Sequence, residues 1–282
     1  MTEECVHTSD CAGADTLVSS LLEVKLSVNY PGKPKILRDV AFSLYRGEVL
    51  GLVGLSGAGK STIAQTILQT VRLRGAEVSG ELVFDGEDLL NARESRLRRI
   101  RGRRIGFIPQ SPIASLNPAL SLRIQFREAW EAHSKVPFTQ IVPRIFELLQ
   151  QVSLPGTHDF LRSYPSDLSV GLAQRVLIAL AMLHSPDLVI CDEPTSALDV
   201  ITQAEILDLF RHLNRQTGMA MLYISHDLLS VAQLCHRVAV LYQGSLVEVG
   251  PTRQIFSDPR HEYTRRLVES IPHVESFKRR IG

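Results

Sequence analysis

Residues 54–62, GLSGAGKST, place three glycines, a lysine and three hydroxyl side chains in the spacing G-x-x-x-x-G-K-[ST]. Glycines let backbone amides close around phosphate oxygens, a lysine reaches the terminal phosphates, and the following hydroxyl meets a Mg²⁺. The chemistry implied is nucleoside triphosphate binding by Gly54, Ser56, Gly57, Ala58, Gly59, Lys60, Ser61 and Thr62. Hydrolysis needs more: a second magnesium anchor, a group that activates water, and charge to stabilise the transferring phosphoryl. LVICDE (188–193) ends in adjacent carboxylates. Asp192 is expected to hold the Mg²⁺ through its water shell and Glu193 to polarise the attacking water. His226, closing the apolar run of MAMLYISHD (219–227), can donate to a γ-phosphate. Each has a plainer reading, since paired carboxylates can cap a helix and a lone histidine can be structural.

A second stretch, YPSDLSVGLAQRVLIALAM (164–182), turns from polar to apolar around Gly171. A helix start has unpaired N–H groups and a partial positive charge, so it can receive an anion. It can equally be an ordinary start capped by Ser166 or Ser169.

The elements that position these residues alternate between strands and helices. LLEVKLSVNY (21–30) reads as a half-buried strand, PGKP (31–34) as a turn, and about 36–44 as a second strand. EVLGLVG (48–54) is apolar almost throughout, as a strand covered on both faces should be. A helix follows from Ser61, and GELVFDGEDL (80–89) reads as a strand ending in an Asp-Gly turn. Apolar spacing is helical from Ser111 to Tyr164. DLVICDE is a buried strand leading to a helix near Val200, and RVAVLYQGSLVEVG (237–250) a hairpin across Gln243-Gly244. The last thirty or so residues read as polar and mostly helical. Parallel strands alternating with helices, plus antiparallel hairpins, indicate an α/β fold.

Composition narrows the classes. The 282 residues carry 31 Lys+Arg against 30 Asp+Glu, a net charge of +1, so nothing global favours a polyanionic partner. The arginine-rich run ARESRLRRIRGRR (92–104) reads as a solvated helix face, with a nucleic-acid patch as the alternative. No apolar run approaches the ~20 residues that cross a bilayer. Residues 1–19 read as a loose polar tail, with Glu3 and Glu4 where a signal peptide would be basic. Of four cysteines, Cys5 and Cys11 fall in that tail, where a metal site with His7 is conceivable; Cys191 and Cys235 fall in apolar stretches.

Seven elements in order carry a family resemblance: Tyr30, GLSGAGKST, Gln110, LSVGLAQR, LVICDEP, SALD and ISHD. The chain resembles the nucleotide-binding subunit of ATP-binding cassette (ABC) transporters over residues 21–250. The resemblance implies a P-loop NTPase (RecA-like) α/β core with an antiparallel β subdomain and an inserted helical subdomain. It implies a 1–19 tail, an ATPase domain over 20–250 with its helical subdomain at about 111–175, and a helical extension over 251–282. Tyr30 would stack on adenine, and Gln110 would contact the Mg²⁺ region and sense the membrane partner. Ser169, Val170 and Gly171 would bind the γ-phosphate of ATP held by the other subunit, and Asp199 would lie at that interface. ATP and Mg²⁺ are the implied cofactors. Partners would be a second ATPase subunit, two membrane permeases and an extracytoplasmic substrate-binding protein, with no nucleic acid, at the cytoplasmic face of the membrane.

The signature Leu-Ser-Gly-Gly-Gln is altered here: Val170 stands at its first glycine and Leu172 at its glutamine. A β-branched residue strongly disfavours positive φ, so a slower composite site, and pairing with a different second subunit, are expected if the loop needs that freedom. QSPIASLNP (110–118), RGRRIGFIPQ (101–110) and GPTRQIFSDPRHEYTRRLVESIP (250–272) resemble the oligopeptide, dipeptide and nickel importer branch. A soluble ABC protein of an enzyme assembly, of the phosphonate-breakdown type, and a nucleic-acid-associated ABC ATPase are the alternatives. The cysteine-rich tail of many relatives is absent, so no iron–sulfur cluster is expected.

Overall fold

The computed structural model describes residues 19–271. The tail with Cys5, His7 and Cys11, and residues 272–282 of the extension, lie outside the described residues.

The chain opens with two long strands, β1 (Ser20–Tyr30) and β2 (Lys33–Tyr45), followed by β3 (Val49–Val53) and the helix α1 (Lys60–Ile67). A short 3₁₀ turn at Val71–Arg74 leads to β4 (Glu77–Phe84) and β5 (Glu87–Asp88), then α2 (Glu94–Ile100) and β6 (Ile105–Ile108). Helices α3 (Pro112–Ser115), α4 (Leu122–Glu131), α5 (Phe138–Gln151) and α6 (His158–Arg162) precede α7 (Val170–Met182). Strand β7 (Leu188–Asp192), helix α8 (Val200–Thr217), strand β8 (Ala220–Ser225) and helix α9 (Leu228–Leu234) follow. The hairpin β9 (Arg237–Tyr242) and β10 (Ser245–Pro251) and the helices α10 (Thr252–Ser257) and α11 (Glu262–Glu269) end the described chain.

Two sheets result. One is antiparallel, in the order β2-β1-β4-β5; the other has the order β10-β9-β3-β8-β7-β6 and is parallel except at β10. The central strands of the larger sheet are buried on both faces, and their side chains alternate between two cores. Val49, Val53, Val189, Cys191, Met221 and Tyr223 point into a core shared with α4, α5, α7 and α8. Leu50, Leu52, Leu188, Ile190, Leu222 and Ile224 point into one shared with α1 and the antiparallel sheet. Period-2 burial on both sides explains why these strands read as unbroken apolar runs.

Three local readings change. The run 92–104 is not one helix: α2 stops at Ile100, and Ile105–Ile108 form the edge strand β6. The 111–164 interval is four short helices, interrupted where Asn117-Pro118, Pro137 and Pro155-Gly156 stand. Its apolar side chains, among them Phe126, Ile145 and Leu161, are nevertheless fully buried in the core that α7 shares. Strand β4 begins at Glu77, three residues before the expected start.

Asn214 locks the sheet's N-terminal edge. Its Nδ2 donates to the Gly47 carbonyl at 3.0 Å and the Met219 carbonyl at 2.7 Å, joining α8 to the turns that start β3 and β8. Asn214→Ala removes both donors and leaves the buried Met219 carbonyl and the part-buried Gly47 carbonyl unpaired, so urea unfolding should show a loss of about 1–3 kcal/mol.

Candidate active site

Strand β3 delivers the 54–62 loop to the C-terminal edge of the sheet. Gly54 has a φ of +157°, and a Cβ there would lie 2.3 Å from the Leu241 carbonyl oxygen, so no other residue fits. The loop wraps Lys60, only 5% exposed. Its Nζ donates to the carbonyls of Gly54 (2.8 Å) and Leu55 (3.2 Å) and lies 3.7 Å from Glu193 Oε1. A buried cation thus stands at the loop's centre with carbonyls and a carboxylate around it.

Strand β7 supplies Asp192, 8% exposed, whose Oδ1 accepts from Ser61 Oγ at 3.1 Å. Burial pushes the Asp192 carboxyl above its ordinary value; the Ser61 hydroxyl opposes this, the neighbouring Glu193 charge adds to it, and Lys60 again opposes it. Glu193 follows in the left-handed region, with a φ of +48°. A non-glycine residue held there costs on the order of 1–3 kcal/mol and clusters at functional sites. Its backbone N–H donates to the Ile224 carbonyl at 2.9 Å, which ties this strained link to β8. The side chain is thereby turned back across the sheet edge. Glu193 Oε2 accepts from Gln110 Nε2 at 3.0 Å and lies 3.2 Å from His226 Nδ1. Gln110 follows β6 and His226 follows β8, so neighbouring strands of one sheet place all three.

A cavity of about 600 Å³ runs along the loop. Tyr30, Ser56, Gly57, Gly59, Lys60, Ser61, Thr62, Gln110 and Glu193 line it, which brings most of the sequence-derived residues to one space. Gly54, Ala58, Asp192 and His226 are not among the lining residues. The sequence reading missed three further lining residues, Ile36, Gln65 and Arg74. Gln65 lies five residues after Lys60 on α1 and accepts from Arg74 Nη1 at 3.4 Å; its helical spacing was the one available signal. Tyr263 was also missed. Its ring stacks on Tyr242 at 4.1 Å, and its hydroxyl accepts from the Leu55 N–H of the loop at 3.3 Å.

The 168–172 element lies elsewhere: none of Ser169, Val170, Gly171 or Asp199 lines that cavity. Ser169, not Ser166, caps α7, its Oγ accepting from Leu172 N–H at 3.3 Å. Val170 is the first helical residue, 39% exposed, with no positive φ, so this conformation makes no demand that valine cannot meet. Gly171 has a different constraint, because a Cβ there would lie 2.9 Å from Thr202 Cγ2. Asp199 caps α8, accepting from the N–H groups of Ile201 and Thr202 and from the Thr202 hydroxyl at 2.7 Å. The starts of α7 and α8 therefore form one packed surface.

Against known proteins, the profile described as "ABC transporter" matches residues 37–196, and "Oligopeptide/dipeptide transporter, C-terminal region" matches 247–282. The oligopeptide transport ATP-binding protein OppD of Lactococcus lactis subsp. cremoris (strain SK11) is 39% identical over 255 residues, 90% of this chain and 75% of that protein. OppD of Bacillus subtilis (strain 168) is 41% identical over 264 residues, covering 92% and 74%. The solved structure of CbiO1 from Clostridium perfringens, part of the ABC transporter complex CbiONQ, superimposes with a TM-score of 0.74 at 25% identity. That match covers 92% of this chain and 99% of CbiO1.

Tyr263→Phe keeps the stack on Tyr242 but deletes the acceptor for Leu55 N–H. Affinity for a nucleoside triphosphate, read with a fluorescent analogue, should fall two- to fivefold, about 0.5–1 kcal/mol, without a change in thermal midpoint.

Proposed function

The chain belongs to the ABC transporter family of ATPases, and from that premise we propose that it binds and hydrolyses ATP to drive a peptide importer. The observation that carries the hydrolytic part is the Glu193 carboxylate, seated beside Gln110, His226 and Lys60 and next to the Ser61–Asp192 pair. A Mg²⁺ fits that pair. A hydroxyl and a carboxylate oxygen 3.1 Å apart are hard donors of the kind it takes, usually together with waters and phosphate oxygens. Bound there, Mg²⁺ would neutralise charge on the phosphates.

The chain's own residues do the rest in this proposal. Loop amides and the Lys60 ammonium bind the phosphates, and Tyr30 receives the base. Glu193 accepts a proton from the attacking water, oriented for it by the donors of Gln110 and His226. Its charge is the working feature, because both neighbours can donate to a carboxylate.

The signature residues Ser169, Val170 and Gly171 would complete the site of a second ATPase subunit in a head-to-tail pair. That none of them lines this chain's own cavity supports that reading. So do the exposed aliphatic side chains beside them: Val170, Val200 (84% exposed) and Ile201 (74%) form an apolar border at the starts of α7 and α8. Asp199 would face the partner from that border. Helices α3 to α6 would dock the cytoplasmic loops of a permease, one of two in the assembly, with Gln110 linking them to Glu193, and an extracytoplasmic binding protein would deliver the peptide. Among the described residues no helix is long and apolar enough to cross a membrane. The association proposed is peripheral, on the cytoplasmic face, in keeping with relatives named as transport ATP-binding proteins. The match over 247–282 favours the importer over a soluble enzyme assembly or a nucleic-acid ATPase.

The test is reconstitution of the chain with its co-encoded permeases and second ATPase subunit in proteoliposomes. Peptide-loaded binding protein should stimulate ATP hydrolysis; failure of this chain to co-purify with any permease overturns the importer reading. In the same preparation Val170→Gly should leave the rate unchanged, because Val170 already occupies helical backbone. A clear rise would mean that the loop needs glycine at 170 in the closed state.

A further inference from the structure

The arginine run at 92–104 has no part in the nucleotide site, yet the fold gathers it around a cavity. Arg96 and Arg99 lie three apart on α2 and so share a face. With Arg103, Arg104, His184, Ser185 and Asp187 they line a space of about 380 Å³. It lies at the N-terminal ends of β6 and β7, the opposite end from Gln110 and Glu193.

Carboxylates do not satisfy this charge evenly. Arg104 is fully engaged, with Nε 2.8 Å from Asp187 Oδ2 and Nη2 2.6 Å from Asp85 Oδ2. Arg96 is paired with Glu87. Among the described residues Arg99 reaches only the Ser95 carbonyl of its own helix, at 3.2 Å. Among the described residues Arg103 has no side-chain hydrogen bond or ion pair, and Arg144 reaches only the Ser185 hydroxyl, at 2.8 Å. Three guanidinium groups without a carboxylate therefore surround or flank one pocket.

The wall behind them is ordered. His184 stacks on Trp130 at 4.8 Å, meets His133 edge-on at 5.1 Å, and its Nε2 lies 3.1 Å from the Ala129 carbonyl. Both imidazoles are held below their ordinary pKa, chiefly by burial. The Arg103 charge lowers each further, with His184 acting on His133 and Arg144 on His184, while the Ala129 carbonyl opposes the shift at His184.

We propose that the cavity between α2, the Gly102–Arg104 turn and the His184–Asp187 loop is a binding site for a phosphate-bearing anion, separate from the nucleotide site. Guanidinium forks match phosphate oxygens bidentately and bind them more strongly than a neutral donor does. Arg99 and Arg103 supply the free forks, and Arg104, fixed by Asp85 and Asp187, forms the floor. Ser185 Oγ, already accepting from Arg144, can turn its own proton toward the anion. At about 380 Å³ the space suits a phosphate ester or a diphosphate better than a lone inorganic phosphate. The phosphate could belong to a soluble metabolite or to a lipid headgroup.

The probe is pyrophosphate, titrated calorimetrically at fixed ionic strength into the full chain saturated with ADP, so that the 54–62 loop is already occupied. It should bind the parent protein, and Arg99→Gln/Arg103→Gln should weaken it by roughly tenfold or more while ADP affinity and thermal midpoint stay unchanged. Arg99→Lys/Arg103→Lys should keep part of the binding. In a second arm, phosphatidylcholine vesicles with and without phosphatidic acid are floated with both proteins. Flotation that needs phosphatidic acid and both arginines assigns the phosphate to a lipid; pyrophosphate binding without flotation assigns it to a soluble ligand. Equal pyrophosphate and vesicle binding by parent and Gln variant overturns the site. So does a short single-stranded RNA that binds far more tightly than pyrophosphate and is lost in the variant, which would make this face a nucleic-acid surface.

Discussion

The Glu193 carboxylate is the point where four separately encoded segments meet. Its own strand β7 brings it to the sheet edge, Gln110 comes from the end of β6, His226 from the end of β8, and Lys60 from the loop after β3. The arrangement depends on a backbone that glutamate does not prefer, a φ of +48° stabilised by the hydrogen bond from Glu193 N–H to the Ile224 carbonyl. Strain of this kind persists only when the surroundings over-determine it. Here they do, because β7 and β8 are buried on both faces and their side chains interdigitate with two cores. The bulk of the fold thus serves to hold one carboxylate against three donors.

The starts of α7 and α8 follow another logic. There the polar groups close on themselves: Ser169 and Asp199 cap their own helices, and Gly171 is small because Thr202 packs against it. Nothing in this surface reaches the chain's own cavity. What it presents outward is the apolar border of Val170, Val200 and Ile201, because the amides of Leu172, Ile201 and Thr202 are already taken by the caps. The valine at 170 is compatible with this, because helix initiation, unlike a left-handed turn, accepts a β-branched residue.

Most of the strand–helix order was legible because the buried strands are continuous apolar runs and the nucleotide motifs sit at their ends. The edge strand β6 was not. It is four residues long and follows directly on an arginine-rich segment whose composition reads as a helix face. The interval 111–164 was legible as helical in period but not in its breaks, which follow from proline and glycine positions. Gln65, Arg74 and Tyr263 were illegible for a different reason: each reaches the loop by tertiary placement, Tyr263 from more than two hundred residues away. Gly171 was legible as part of the signature stretch, but its close contact with Thr202 was not. The motifs name the residues on the sheet edge, and the packing around them can be seen only in three dimensions.

On the proposed mechanism the negative charge of Glu193, rather than its shape or hydrogen bonding, turns a nucleotide-binding site into a hydrolytic one. Glu193→Gln keeps the side chain's size and an acceptor for Gln110 but removes the charge. The decisive measurement is ATP affinity and single-turnover hydrolysis on the same preparation of parent and variant, both in Mg²⁺. The account predicts affinity within a few-fold of the parent and hydrolysis slower by ~10² or more. Hydrolysis at the parent rate, with ATP binding intact, would contradict it.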